Sequence, residues 1–198
     1  MIFKFIIPHY TPLVERKNNI IEQFKKYNIN NYEFIEIYDR EKLTFYNLEK
    51  FQNLRLSEIS LFLKQIEALK VEYDIIIILE DDSILCENFL EKINNIITNL
   101  PENWDLISCG ECSNLHMEVK NNELFYECIY ARGGSMNLFN KLSAQKFLHI
   151  FNIEDIIDQP IDHWFGYIYK KYELKYFWVE PTLITQGSEN GFFNTSNR

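Results

Sequence analysis

Residues 74–85 read DIIIILEDDSIL, an apolar run that drives straight into Glu80, Asp81 and Asp82. Carboxylate oxygens are the preferred ligands of hard divalent cations such as Mg²⁺ and Mn²⁺, which keep open positions for phosphate. An acidic triplet at the end of a buried strand would hold such ligands on a rigid mount. Side chains alternate along an extended backbone, which puts Glu80 and Asp82 on one side and Asp81 on the other. The same residues also suit a solvated loop, and Asp82-Ser83 could cap a helix beginning near Glu87. The triplet alone leaves both readings open.

The elements that must position this triplet follow from hydrophobic periodicity. Residues 2–8 (IFKFIIP) read as a buried strand that stops at Pro8. The apolar positions from Leu13 to Tyr27 form a helical stripe, and residues 32–39 (YEFIEIYD) a second strand. Residues 40–56 have no clear period. Residues 57–70 form an amphipathic helix with Ser57 as its expected N-cap. The continuous apolar run 74–79 suits a parallel strand covered on both faces.

A helix over 87–100 and a strand over 104–110 follow. Strands over 123–130 and 135–139 flank Ala131-Arg132-Gly133-Gly134, helices are expected over 140–151 and 162–172, and a late strand over 174–181. The remaining residues read as loop. Strands alternating with helices imply an α/β/α sandwich with a mostly parallel central sheet, built as one domain over 1–198. In such sheets ligands sit beyond the carboxyl ends of the strands, where the triplet lies.

Composition narrows the function. A net charge of -9 argues against a general nucleic-acid binder, although a bound cation would locally invert the sign for a phosphate-bearing ligand. The four cysteines are too few for a disulfide scaffold, and Cys109-Gly-Glu-Cys112 has no second CxxC to complete a zinc site. No segment approaches the roughly 20 apolar residues of a membrane span, and the N-terminus lacks a long apolar signal core. A cytoplasmic protein without a transmembrane segment is expected. Aromatics at 16% are enough to fill a core and line a groove for a flat or sugar-like ligand.

Taken in order, the motifs resemble glycosyltransferase family 25, the family of lipooligosaccharide and collagen β-galactosyltransferases. RLSEISLFLKQIEALK followed by IIIILEDDSIL is similar to its core helix and Leu-Glu-Asp-Asp strand. IPHYTPLVERKNNIIEQFKKYNI resembles its opening strand and helix, and ARGGSMNLFNKLSAQKFL its Gly-rich strand and following helix. QPIDHWFGY matches its Pro-Ile-Asp element, and VEPTLITQGSENGFF its closing Gln-x-Ser segment. The chain departs at Ser57, where the family has Gly, at Lys64-Gln65, where it has Ser-His, and at His9-Tyr10, where it has Asn-Leu.

The resemblance implies a GT-A-type fold and inverting, metal-dependent transfer of a hexose, galactose or glucose, from a UDP-sugar to a glycan, lipid-linked or hydroxylysine-type hydroxyl. Asp82 and Glu80 would hold Mn²⁺ or Mg²⁺ against the diphosphate, with Glu80 or Asp81 reaching the ribose or a metal-bound water. Tyr10 and Thr11 would meet the base or ribose, and Arg16 a phosphate or the base. Arg132, Gly133 and Gly134 would bind the donor, and Gln186 and Ser188 would approach the metal or diphosphate. Asp162 would be the general base, with His163 a lesser candidate and Trp164 an acceptor platform or a core residue. A catalytically inactive nucleotide-sugar or glycan-binding domain of the same fold is the alternative, and a metal-dependent phosphohydrolase a third reading.

Overall fold

A computed structural model describes residues 2–111, 115–120, 123–128 and 133–194. The chain opens with β1 (Phe3–Pro8), α1 (Val14–Lys26) and β2 (Tyr32–Ile35), followed by a 3-10 helix over Arg40–Phe45. Next come α2 (Leu56–Ala68), β3 (Ile75–Leu79), β4 (Ser83–Leu85), α3 (Phe89–Thr98) and β5 (Leu106–Ser108). The second half holds β6 (Phe125–Glu127), β7 (Met136–Asn140), α4 (Lys141–Ile153), α5 (Ile161–Lys171), β8 (Tyr176–Val179) and β9 (Ile184–Gln186).

Seven strands form the main sheet in the order β2-β1-β3-β7-β5-β8-β6. β1 pairs in parallel with β2 and β3, and β5 with β8, while β7 and β6 pair antiparallel with their neighbours. The sheet is thus mostly parallel, with two reversed strands. All five residues of β3 are buried, as its unbroken Ile-rich sequence requires of a central strand covered on both faces.

Alternation divides the core. Ile6, Ile76, Ile78, Leu106, Phe139 and Trp178 face one way, against Phe62 and Ile66 of α2, Phe147 of α4 and Trp164 and Phe165 of α5. Phe5, Ile7, Ile75, Ile77, Ile107 and Leu138 face the other way, against Ile20 and Phe24 of α1 and Phe89 and Ile93 of α3. Each fully buried side chain of this size contributes about 1.5–3 kcal/mol.

Three local readings of the sequence are corrected. Helix α2 is capped by Arg55, not Ser57: the Glu58 carboxylate accepts the Arg55 backbone N–H at 2.8 Å and its guanidinium at 2.8 Å. A capping partner three residues on outweighs the preference of Ser for the cap position. The stretch from 40 contains the 3-10 helix. The tail is not all loop: β9 pairs antiparallel with β4, matching Ser83 to Gln186 and Leu85 to Ile184. Two three-residue strands about a hundred residues apart carry almost no periodic signal of their own. Together they draw the end of the chain across the acidic triplet.

Phe62 joins the helices over one face, its ring 5.1 Å from Trp164, 5.4 Å from Phe51 and 5.9 Å from Phe151. Phe62→Ala is expected to lower unfolding free energy by about 3–5 kcal/mol in chemical denaturation, the range for aromatic truncation in a packed core.

Candidate active site

β3 ends at Leu79, and the next three residues turn at the sheet's carboxyl edge, where Asp81 and Asp82 are buried. Strict alternation is not kept, because residues 81–82 form a turn and all three carboxylates line one cleft. Asp81 reaches the end of β1, where its Oδ2 accepts the His9 Nδ1–H at 2.8 Å. Glu80 and Asp82 turn toward the tail: Gln186 Nε2 donates to Glu80 Oε2 at 2.8 Å, and the Ser188 hydroxyl donates to Asp82 Oδ2.

Arg16 supplies the local positive charge. It lies on α1 but is buried, against the rule for a residue of its type. Its Nη1 is 3.1 Å from Asp81 Oδ1 and 3.7 Å from Asp82 Oδ2. Its Nη2 donates to the Asn194 carbonyl at 2.6 Å, and the Phe193 ring lies 5.5 Å from the guanidinium carbon. The tail is therefore clasped over the acidic edge. Gly187 is required in that clasp, because a Cβ there would lie 2.6 Å from the Phe193 ring and 3.0 Å from the Asp82 carbonyl oxygen.

One guanidinium does not neutralise three carboxylates. Burial pushes Glu80 well above the usual carboxylate range, and the nearby Asp82, Asp162 and Asp81 charges push it further. Burial also raises Asp82, against the lowering effects of the Ser188 hydrogen bond and of Arg16. Asp82 Oδ1 is buried and has no hydrogen-bond partner among the described residues. These are the properties of a donor set that a divalent cation would complete, so Glu80 and Asp82 fit the ion that the sequence motifs imply. Among the described residues no three His, Cys, Asp or Glu side chains gather around one point. Two carboxylates with open positions is how phosphate-sharing Mg²⁺ sites are commonly built.

A second buried charge pair sets the neighbouring wall. Lys64 Nζ on α2 donates to Asp39 Oδ1 at 2.6 Å and to the His9 carbonyl, and both charged groups are buried. Asp39 Oδ2 accepts the Thr11 hydroxyl at 2.5 Å. Burial works against the Asp39 carboxylate, but the Lys64 and Thr11 hydrogen bonds overcome it and hold its pKa below the ordinary 3.8. Burial lowers Lys64, and Asp39 only partly restores it. The departure at Lys64 is thus a structural brace tying α2 to the ends of β1 and the segment after β2. Sequence reasoning missed Asp39, although an acid closing a strand is the signal that drew attention to the triplet.

A cleft of about 440 Å³ opens over this edge. Of the residues singled out from sequence, Tyr10, Arg16, Glu80, Asp81, Asp82, Gln186 and Ser188 line it. Arg40 and Arg55, from the stretch without clear period, join them with Ser57, Ser60 and Lys64 of α2. The Arg40 guanidinium lies 4.6 Å from the centre of the Tyr10 ring, whose hydroxyl donates to Glu41.

Other candidates lie outside the lining. Thr11 turns to Asp39. Gly133 takes a positive φ of 63°, and Gly134 packs where a Cβ would lie 3.2 Å from Glu80 Oε1 and 4.0 Å from the Asp162 Cβ. Asp162 is half-buried in the first turn of α5, near enough to raise Glu80. His163 is exposed, and Trp164 is a core residue at 2% exposure, which removes it as an acceptor platform. Arg132 and Cys112 lie outside the described residues; Cys109 and Cys128 are buried and Cys86 half-buried.

No family model matches the sequence, and no curated protein matches it. Solved structures do. A glycosyltransferase involved in the glycosylation of the major capsid of PBCV-1 superposes with a TM-score of 0.57 at 12% identity, over 100% of this chain and 96% of that one. TarS from S. aureus superposes with a TM-score of 0.50 at 14% identity, over 97% of this chain and 38% of that one. At these identities the likeness is one of fold, and the fold is the α/β GT-A type expected from the motifs.

Asp39→Asn leaves the Lys64 ammonium buried without its counter-charge and is expected to cost about 3–5 kcal/mol of stability. Because the Asp39 pKa is depressed on folding, its contribution is fully present above its unfolded value of 3.8 and is lost as pH falls through the folded value. The variant's deficit, measured by urea denaturation, is therefore expected to hold from pH 7 to 5 and to shrink below about pH 4.

Proposed function

We propose that this chain is an inverting, metal-dependent glycosyltransferase of the family 25 kind, moving a hexose from a UDP-sugar to an acceptor hydroxyl. One observation carries the reading. A single cleft at the carboxyl edge of the sheet brings together an under-neutralised carboxylate pair, arginines and an aromatic ring, with a further carboxylate, Asp162, just beyond. The triplet suits a divalent cation, the cation and the arginines suit a diphosphate, and Tyr10 suits a base. The likeness in fold to glycosyltransferases supports the same reading.

The chain's own residues would act as follows. Tyr10, braced by Arg40, presents a ring face to the uracil. Arg40 and Arg55, which line the same cleft, hold phosphate oxygens. Glu80 and Asp82 hold Mn²⁺ or Mg²⁺, which when bound stabilises the charge that develops on the departing diphosphate. Asp162 takes the proton of the acceptor hydroxyl. The acceptor oxygen attacks the anomeric carbon from the face opposite the leaving group, and the bond from that carbon to the β-phosphate oxygen breaks with its electron pair going to UDP. One displacement inverts the anomeric configuration.

A binding-only domain has one observation in its favour: Ser188, Gln186 and Arg16 already engage the oxygens of the triplet. Turnover separates the readings. With Mn²⁺ the protein is expected to release UDP from UDP-galactose or UDP-glucose, and EDTA to abolish the release. Binding of the donor in Mn²⁺ with no UDP release, whatever acceptor is added, would establish the binding domain instead.

Asp82→Ala is expected to lower UDP release by about 10²-fold or more while leaving the circular dichroism melt within a few degrees of the parent. Asp162→Asn is expected to keep donor affinity within about twofold and to lower transfer to the acceptor by about 10²–10⁴-fold, the usual contribution of a general base.

A further inference from the structure

Gln65 is a polar side chain that the roles above leave without a task. It follows Lys64 on α2 and is fully buried, and neither its amide N–H₂ nor its C=O has a hydrogen-bond partner among the described residues. Native proteins rarely tolerate an orphaned buried amide, and such groups call for a cause.

Its surroundings locate the cause. A Cβ on Gly134 would lie 3.2 Å from Gln65 Nε2, 3.2 Å from Glu80 Oε1 and 4.0 Å from the Asp162 Cβ. The amide thus lies just behind the lining of the cleft, beside the carboxylate assigned to the cation, which lines it, and near the one assigned to the acceptor's proton. During transfer, the group that must lie between those two is the moving sugar.

We infer that Gln65 reads the transferred hexose, its N–H donating to one ring hydroxyl of the donor and its C=O accepting from another. This rests on the proposed function and adds the residue that selects the sugar. An amide suits the task, because sugar hydroxyls both donate and accept. A carboxylate there would add negative charge beside Glu80. Gly134 gives the amide its approach, since any side chain at that position would press on Gln65 and Glu80 together. Glu80 is held by Gln186 on the tail. A cation held by Glu80 and Asp82 would compete for that carboxylate and would leave the amide room to turn to the sugar.

The test is calorimetric titration in Mn²⁺ of UDP, UDP-galactose and UDP-glucose against the parent protein, Gln65→Leu and Gln65→Met. In both variants the affinity for UDP is expected to stay within about twofold, while the preferred UDP-hexose weakens at least tenfold relative to UDP and the preference between the two sugars collapses. Without ligand both variants are expected to melt at or above the parent temperature, because an orphaned amide has been replaced by an apolar group of similar size. An unchanged ratio of UDP-hexose to UDP affinity overturns the inference. So does an equal loss for UDP and UDP-hexose, which would mean that the amide acts through Glu80. A large fall in melting temperature in both variants would assign Gln65 to packing. Failure of the parent protein to bind either UDP or a UDP-hexose is a distinct result, and it would remove the proposed function itself.

Discussion

Three carboxylates at the end of a buried strand repel one another and lose their water, and the site is organised around that cost. Arg16 is its principal internal remedy. Pulled out of solvent on α1, it reaches Asp81 at 3.1 Å and Asp82 at 3.7 Å, and it fastens the tail by the Asn194 carbonyl. The remedy is incomplete, since Glu80 is raised well above the ordinary range and Asp82 Oδ1 lacks a partner. A site meant only for stability would have neutralised these groups or replaced them, because imperfectly paired buried charge destabilises a fold. The residual deficit of positive charge is the feature that points to a cation and a phosphate-bearing ligand.

The rest of the edge is a rigid mount for this imbalance. The all-apolar β3, braced in parallel against β1 and antiparallel against β7, fixes where the triplet emerges. Lys64 and Asp39 lock α2 and the segment after β2 to the end of β1 and, through the Thr11 hydroxyl, to the turn that carries Tyr10. The β4–β9 ribbon completes the frame by laying Gln186 and Ser188 on Glu80 and Asp82. The clasp, Arg16 and the carboxylates are thus mechanically joined, and a ligand that takes Glu80 Oε2 or Asp82 Oδ2 must exchange hydrogen bonds with the tail.

Much of this was legible in the sequence, for physical reasons that can be named. Long periodic segments such as α2 and α5, and the isoleucine run of β3, carry their own evidence of burial. The acidic triplet was visible because charge directly after such a run is hard to explain by packing. The β4–β9 ribbon was not visible, because three-residue strands are defined by partners far away in the chain. Arg16 could be seen as a candidate but not as the clasp's anchor, since that role depends on the Asn194 carbonyl and the Phe193 ring. Arg40 was passed over because the stretch from 40 has no period, and Asp39 because a single acid at the end of an expected strand gives no sign of a buried partner. The Lys64 brace and the orphaned Gln65 were marked only as departures from a motif, since one sequence does not tell whether a buried polar residue has a partner.

The central claim is that Glu80 and Asp82 share a divalent cation with a nucleoside diphosphate in the cleft beside Tyr10. The most direct measurement is anomalous scattering from crystals of this protein soaked with MnCl₂ and UDP. The account predicts one strong manganese peak within direct coordination distance of carboxylate oxygens of Glu80 or Asp82 and of the UDP phosphates. Ordered UDP with no manganese at these residues, or manganese bound elsewhere on the chain, would contradict it.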